Sequence, residues 1–140
     1  MKNKKVLVGG VFDILHYGHI HFLKESKKLG DYLVVALESD ANVRRLKGKK
    51  RPFHSQNQRR EMLESLRFVD EVIILGESMR DEDYRKLVEN VKPSAIAVTA
   101  GDPMLNKKKA HARRVLAEVV EIPKVDVPST TEIAKILKIE

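Results

Sequence analysis

Short apolar runs alternate along the chain with longer segments in which apolar residues recur every three or four positions. The runs predict strands at Val6–Val8, Leu33–Leu37, Val72–Leu75, Ile96–Thr99 and Val119–Ile122. The longer segments predict helices at about Tyr17–Leu29, Gln56–Leu66, Glu82–Val91, Lys107–Leu116 and Thr130–Leu137. This alternation is typical of an α/β fold in which helices cover both faces of a parallel sheet. We therefore expect the carboxyl ends of the strands to share one ligand-binding edge.

Length and composition limit the classes of protein. The 140 residues suit one domain spanning residues 1–140. No run approaches the roughly 18 apolar residues of a membrane span, and the apolar stretch after the basic start is too short for a signal peptide. The chain has no cysteine, which excludes disulfides and thiol catalysis and fits the cytoplasmic location that we expect. The net charge of +7 favours an anionic partner.

Two clusters of basic residues, at 44–51 and 107–114, raise the possibility of nucleic-acid binding. The chain has no tryptophan and few aromatic residues on which bases could stack, and it has no zinc-finger spacing. We therefore expect no nucleic-acid partner. The second cluster is interpreted as solvated surface.

Residues 9–19 read GGVFDILHYGH and follow the first predicted strand directly. A strand, a glycine turn and a helix N-terminus together form an anion site, since free backbone N–H groups and the positive end of the helix dipole converge there. His16 and His19 lie three residues apart on the first helical turn, so both imidazoles could face one phosphate chain. The alternative is that they are ordinary polar helix residues. His21 lies outside this pattern and is interpreted as a surface or core-edge residue.

This stretch resembles the signature of the cytidylyltransferase-like nucleotidyltransferases, Gly-x-Phe-Asp-x-x-His-x-Gly-His. Every defined position is filled, by Gly10, Phe12, Asp13, His16, Gly18 and His19. The resemblance implies a Rossmann-like domain in which an acceptor phosphate attacks the α-phosphorus of a nucleoside triphosphate and pyrophosphate leaves. His16 and His19 would then hold the α- and β-phosphates. Backbone N–H groups of Val11 and Phe12 would cradle phosphate, and Asp13 would orient the acceptor or contact magnesium.

Further positions resemble the same family. Leu46–Pro52 is predicted as a mobile loop, and Lys47, with Lys49 as second choice, would neutralise the leaving pyrophosphate. Arg59 resembles a family arginine that faces the site. Asp102, after the fourth predicted strand, resembles an aspartate near the ribose and base; its alternative is a strand-ending Asx turn.

The final predicted helix begins with Ser129, Thr130 and Thr131, which match the Ser-Thr-Thr of a second family motif. A capping box formed with Glu132 is the alternative for Ser129. The upstream part departs from the family, because Lys124 stands where the family has an arginine. A lysine cannot grip a phosphate with two parallel hydrogen bonds, which weakens the resemblance to glycerol-3-phosphate cytidylyltransferase.

The resemblance covers Val6 to Ile136 and is especially close to the adenylyltransferase domain of ADP-heptose synthases and to archaeal-type FAD synthetases. It implies ATP as donor, Mg²⁺ carried by the triphosphate with no metal site of the protein's own, and a homodimer without membrane contact. The acceptor stays open among FMN, a sugar 1-phosphate and glycerol 3-phosphate, the last with CTP. A non-catalytic nucleotide sensor or nucleic-acid-binding module is the alternative from a different class.

Overall fold

A computed structural model, which describes residues 4–138, contains a parallel sheet between two layers of helices. Its strands are β1 (Lys5–Gly10), β2 (Tyr32–Leu37), β3 (Glu71–Ile74), β4 (Ala95–Thr99) and β5 (Glu118–Ile122). Its helices are α1 (Tyr17–Lys27), α2 (Asp40–Lys47), α3 (Gln56–Glu64), α4 (Asp81–Val91), α5 (Leu105–Arg114) and α6 (Thr130–Ile136). The predicted α/β class is confirmed.

The strand order is β3-β2-β1-β4-β5, and every neighbouring pair is parallel. The chain leaves β1 for β2 on one side and reaches β4 on the other, so a crevice forms where the order reverses. Gly9 and Gly10 end β1 at that point. The fold therefore places the glycine turn at the position where such sheets bind ligands.

The core lies on both faces of the sheet, because successive strand residues point in opposite directions. Val6 and Val8 of β1 pack in one cluster with Leu23 of α1 and Leu63 of α3. Leu7 packs on the other face in a cluster formed mainly with α4 and α5. Five of the six residues of β2 are buried, as expected of a central parallel strand. No helix among residues 4–138 is long and apolar enough to cross a membrane.

Helix α2 has no counterpart among the predicted helices. Ser39 caps its start by accepting a hydrogen bond from the Asn42 N–H at 3.1 Å, and Gly48 ends it with φ +104°. Val43 is its one buried residue, so the segment lacks the apolar stripe by which helices are recognised in sequence. The predicted loop consequently begins at Gly48, and Lys47 is the last residue of a helix.

Candidate active site

A cavity of about 410 Å³ opens where β1, β4 and β5 end, and several elements contribute to its wall. The predicted residues that line it are Gly10, Val11, Phe12, His16, Gly18, His19, Lys47 and Ser129. Asp13, Arg59, Asp102, Thr130 and Thr131 are not among its lining residues. The structure thus brings the two histidines, the glycine turn and the predicted lysine together.

His16 and His19 form the start of α1 as a reciprocal cap. The Gly18 N–H donates to His16 Nδ1 at 3.0 Å, and the His16 N–H donates to His19 Nδ1 at 3.3 Å. Each Nδ1 is an acceptor, so the neutral rings carry their protons on Nε2. The ring centroids are 3.9 Å apart. The helix cap therefore fixes two side-by-side Nε2–H donors.

Both imidazoles are held neutral. Burial lowers the pKa of His16. Burial also lowers the pKa of His19 to about 4, helped by the charges of His16 and Lys47 and opposed by Asp13. The pair therefore presents hydrogen-bond donors, rather than two cations, to an incoming anion at neutral pH.

Two motif glycines leave room for aromatic rings. A Cβ on Gly10 would lie 2.7 Å from Phe12 Cε2, and one on Gly18 would lie 2.8 Å from His16 Cε1. Phe12 itself has φ +48°, a left-handed conformation that is rare outside glycine, and its ring meets His19 edge-on with centroids 5.4 Å apart. The glycine spacing of the motif is therefore explained by close approach.

Asp13 does not face the cavity. Its side chain is buried and accepts hydrogen bonds from Arg51 Nε at 2.7 Å, from the Phe53 N–H at 2.7 Å and from the His54 N–H at 2.9 Å. Burial opposes ionisation, but the two N–H groups and Arg51 outweigh it and hold the pKa of Asp13 below its usual value. The expected contact of Asp13 with acceptor or magnesium is thus corrected, since this carboxylate anchors the loop after α2.

Arg59 is also buried rather than facing the site, which corrects the second expectation. Its guanidinium donates to the carbonyl of Val11 at 2.8 Å, to the carbonyl of His54 at 3.0 Å and to Asp40 Oδ1 at 2.7 Å. The side chain is 0% exposed. Arg59 therefore supports the glycine turn from behind and ties it to the start of α2.

Lys47 lies at the wall of two cavities. It lines the main cavity and also a second one of about 480 Å³, formed with Leu46, Gly48, Lys49, Lys50 and Thr131. Thr131 thus lines this second cavity, beside the residues that follow α2, and does not line the main one. Three lysine side chains around one recess suit an anionic group.

Asp102 forms the Asx turn that was the alternative expectation. It accepts from the Met104 N–H at 2.8 Å and from Lys108 Nζ at 2.6 Å. Burial opposes its ionisation, yet these two bonds lower its pKa. The carboxylate is bonded to Lys108, and Asp102 is not among the residues that line the main cavity.

The residues of the Ser-Thr-Thr stretch make different contacts. Ser129 lines the main cavity and also caps α6, where it accepts from the Glu132 N–H at 3.1 Å. The capping box expected for Ser129 is therefore present, and its contact with a nucleotide stays a prediction. Thr130 donates through Oγ1 to the carbonyl of Ile14 at 2.9 Å, which links α6 to the motif turn.

Two basic residues that line the cavity were not among the predicted site residues. His21 lines the cavity from α1, with its ring centroid 6.3 Å from that of Tyr17, and Lys124 lines it from the segment after β5. The signal for Lys124 was its place at the family arginine position. His21 had a helical signal, since it lies three residues after Gly18 and so on the same face of α1, but no motif position marked it.

No group of three or more His, Asp or Glu residues that could hold a metal ion occurs among residues 4–138. The buried Asp13 carboxylate, already bonded to three donors, does not fit that role either. These residues therefore fit an arrangement in which a divalent ion would enter with the triphosphate.

Comparison of the chain with models of known protein families supports the class of protein that the order of elements and the histidine pair indicate. A family model described as cytidylyltransferase-like matches residues 7–136. The chain belongs to the cytidylyltransferase-like family. The matched region contains nearly all of the described residues, including both histidines and the Ser-Thr-Thr stretch.

Similar proteins come from archaea and bacteria. The chain is 42% identical over 138 residues to FAD synthase of Thermococcus sibiricus, covering 94% of this chain and 90% of the relative. It is 43% identical over 134 residues to the bifunctional protein HldE of Campylobacter fetus subsp. fetus, covering 95% of this chain but 28% of that protein. The solved lipopolysaccharide core biosynthesis protein from Thermoplasma volcanium GSS1 has a TM-score of 0.76 at 37% identity, covering 89% of this chain and 100% of the other.

These comparisons confirm the predicted enzyme class, a nucleotidyltransferase. They also confirm the resemblance to FAD synthetases and ADP-heptose synthases.

Proposed function

We propose that this chain transfers AMP from ATP to the phosphate of a small acceptor and releases pyrophosphate, with FMN as the first candidate acceptor and a sugar 1-phosphate as the second. The observation that carries the proposal is the histidine pair. Backbone N–H groups bond to both Nδ1 atoms and so leave Nε2–H as the free donor of each ring, and both residues line the cavity at the end of β1. FMN comes first because the FAD synthase of Thermococcus sibiricus is similar along 90% of its length.

The reaction is an in-line displacement. A phosphate oxygen of the acceptor attacks the α-phosphorus of ATP, the new P–O bond forms, and the bond to the oxygen that bridges the α- and β-phosphorus atoms breaks. The acceptor phosphate is already an anion, so no general base is required. Catalysis then consists of positioning and charge stabilisation.

Each residue has a defined task in this scheme. His16 and His19 donate to the α- and β-phosphates and stabilise charge on the bridging oxygen as it leaves. Lys47, between the two cavities, neutralises the leaving pyrophosphate. Backbone N–H groups of Val11 and Phe12 cradle phosphate at the turn that Arg59 supports.

The metal is proposed as Mg²⁺, bound to the phosphates of ATP rather than to a protein site. It supplies charge neutralisation on the triphosphate when bound.

We also propose a cytoplasmic location and no nucleic-acid partner. The proposed assembly is a symmetric homodimer with a complete site in each subunit, since two-fold pairing is the commonest assembly. Light scattering at the assay concentration tests the dimer, and a monomer of full activity would refute it.

The test is pyrophosphate release from ATP and CTP at matched magnesium, with FMN, a sugar 1-phosphate and glycerol 3-phosphate as acceptors. We expect turnover with ATP and FMN, and mass spectrometry of the product should show FAD. Tighter binding and faster turnover with CTP and glycerol 3-phosphate would replace the proposal with the cytidylyl alternative.

The alternative from a different class is a non-catalytic nucleotide or nucleic-acid binding module. It predicts no pyrophosphate release with any acceptor. It also predicts sub-micromolar DNA or RNA binding that weakens steeply with salt, since several counterions would be released.

A further inference from the structure

The loop of residues 48–54, here called the basic loop, is fastened to the motif turn by a buried ion pair. Asp13 and Arg51 have side chains that are 0% and 4% exposed, and Arg51 Nε lies 2.7 Å from Asp13 Oδ2. Two further donors from the same loop, the N–H groups of Phe53 and His54, also point at this carboxylate. One aspartate of the histidine motif thus organises a loop that lies about 40 residues away along the chain.

The same anchor extends to Lys47 through the backbone. The Arg51 N–H donates to the carbonyl of Gly48 at 3.1 Å, which closes a tight turn. The Gly48 N–H donates to the carbonyl of Arg44 at 2.9 Å and so ends α2. Gly48 follows Lys47 directly. The path from Asp13 through Arg51 and Gly48 therefore ends at the lysine that lines both cavities.

The connection from Asp13 to Lys47 differs from ordinary loop packing because it contains a buried ion pair, Asp13 with Arg51. A buried ion pair contributes little net stability compared with an apolar replacement, because desolvation of two charges offsets their attraction. What such a pair provides is a fixed geometry. The exposed lysines of the basic loop, Lys49 and Lys50, have no comparable anchor of their own.

We propose that Arg51 is a positioning residue of the transfer reaction, which holds Lys47 at the cavity wall through its ion pair with Asp13. The inference rests on the proposed function, because its effect is measured in adenylyl transfer. Arg51 touches no reacting atom in this account; it acts through Lys47.

A double-mutant cycle on kcat tests the inference, using Arg51→Gln, Lys47→Ala and the combination. If Arg51 acts through Lys47, Arg51→Gln lowers kcat by about 10-fold or more, since small misplacements of a charged group are costly. Adding Lys47→Ala to Arg51→Gln should then cost less than about 3-fold more, whereas Lys47→Ala alone costs far more in the wild-type background. The Kd of ATP by calorimetry should change less than about 3-fold in Arg51→Gln, because the phosphate turn is held separately by Arg59.

Arg85→Gln is the matched control. Arg85 pairs with Glu82 and Glu89 on the surface of α4, and its loss should leave kcat unchanged. If Arg51→Gln does not fold, Asp13→Asn, which removes the charge of the same ion pair from its other partner, enters the same cycle. Losses that multiply in the double variant, or an unchanged kcat in a folded single variant, would overturn the inference. A wild-type protein that releases no pyrophosphate would instead refute the proposed function.

Discussion

Substitution of Gly18 by alanine separates the structural role of the histidine motif from its chemical role. The new Cβ would lie 2.8 Å from His16 Cε1 and 3.0 Å from His16 Nδ1, where an ordinary contact begins at 3.4 Å. Val127 Cγ2, at 3.3 Å, limits movement in another direction. The His16 ring must therefore retreat by at least 0.2 Å to reach 3.0 Å, and by 0.6 Å to reach an ordinary contact at 3.4 Å.

Stability should change little, because two effects oppose each other. Alanine is favoured over glycine within a helix by about 1 kcal/mol. Against this, displacement of the ring weakens the hydrogen bond from the Gly18 N–H to His16 Nδ1, and loss of an N-cap bond costs about 1 kcal/mol. We expect the free energy of unfolding, measured by urea denaturation, to change by less than about 1 kcal/mol.

Activity should fall sharply in the same variant. A misplacement of about 1 Å costs about 10²-fold in rate, equivalent to about 2.7 kcal/mol in the activation barrier, and this is the upper bound for the smaller displacement of His16. The assay is kcat for pyrophosphate release at saturating ATP and acceptor. Gly76→Ala is the control, since nothing lies within 4 Å of its new Cβ. A kcat of Gly18→Ala within about 2-fold of wild type would refute the reasoning, as would an equal loss in the control.

Three further predictions concern the same site. His16→Ala or His19→Ala should each lower kcat by about 10²-fold or more while the protein stays folded by circular dichroism, because each removes a preorganised donor; near-normal turnover in both would exclude the mechanism. The pKa of His19 is depressed to about 4, so its contribution to stability is complete above pH 6.5 and is lost as the pH falls towards 4; urea titrations across this range should show a shallower decline for His19→Asn, and identical slopes would contradict the depressed pKa. Lys47→Ala should lower kcat more than Lys50→Ala, and the reverse order would assign the catalytic lysine to the loop tip.

The parallel sheet and the position of the motif turn at its edge could be predicted because they depend on local patterns. Each strand is a short apolar run, and the motif turn follows β1 directly. Helix α2 was not predicted, because Val43 is its one buried residue. Ser39 before it and Gly48 after it were the available signals.

The buried charges could not be predicted, since their partners are distant in sequence. Asp13 and Arg51 are 38 residues apart, and Arg59 reaches the Val11 carbonyl across 48 residues. A motif shows which residue types recur, but it does not show whether a carboxylate points at a ligand or at the loop beside it. Asp102 is a case in which the partner is near in sequence, because Lys108, one helical turn into α5, donates to its carboxylate, and the motif gave no sign of that pairing.

The reciprocal cap at the start of α1 leaves the histidine pair with a donor-only face. Both Nδ1 atoms accept backbone N–H groups, so neither ring offers an acceptor to the cavity in its neutral form. Such a face discriminates by protonation state, because a phosphate that carries a proton presents one acceptor fewer and one proton that finds no partner. The acceptor phosphate sets a separate acidic limit, because as the nucleophile it loses reactivity when it takes up a proton, near the second ionisation of a phosphate monoester at about pH 6. The group that changes its protonation state near this pH is thus the acceptor phosphate, while the imidazoles of His16 and His19 stay neutral.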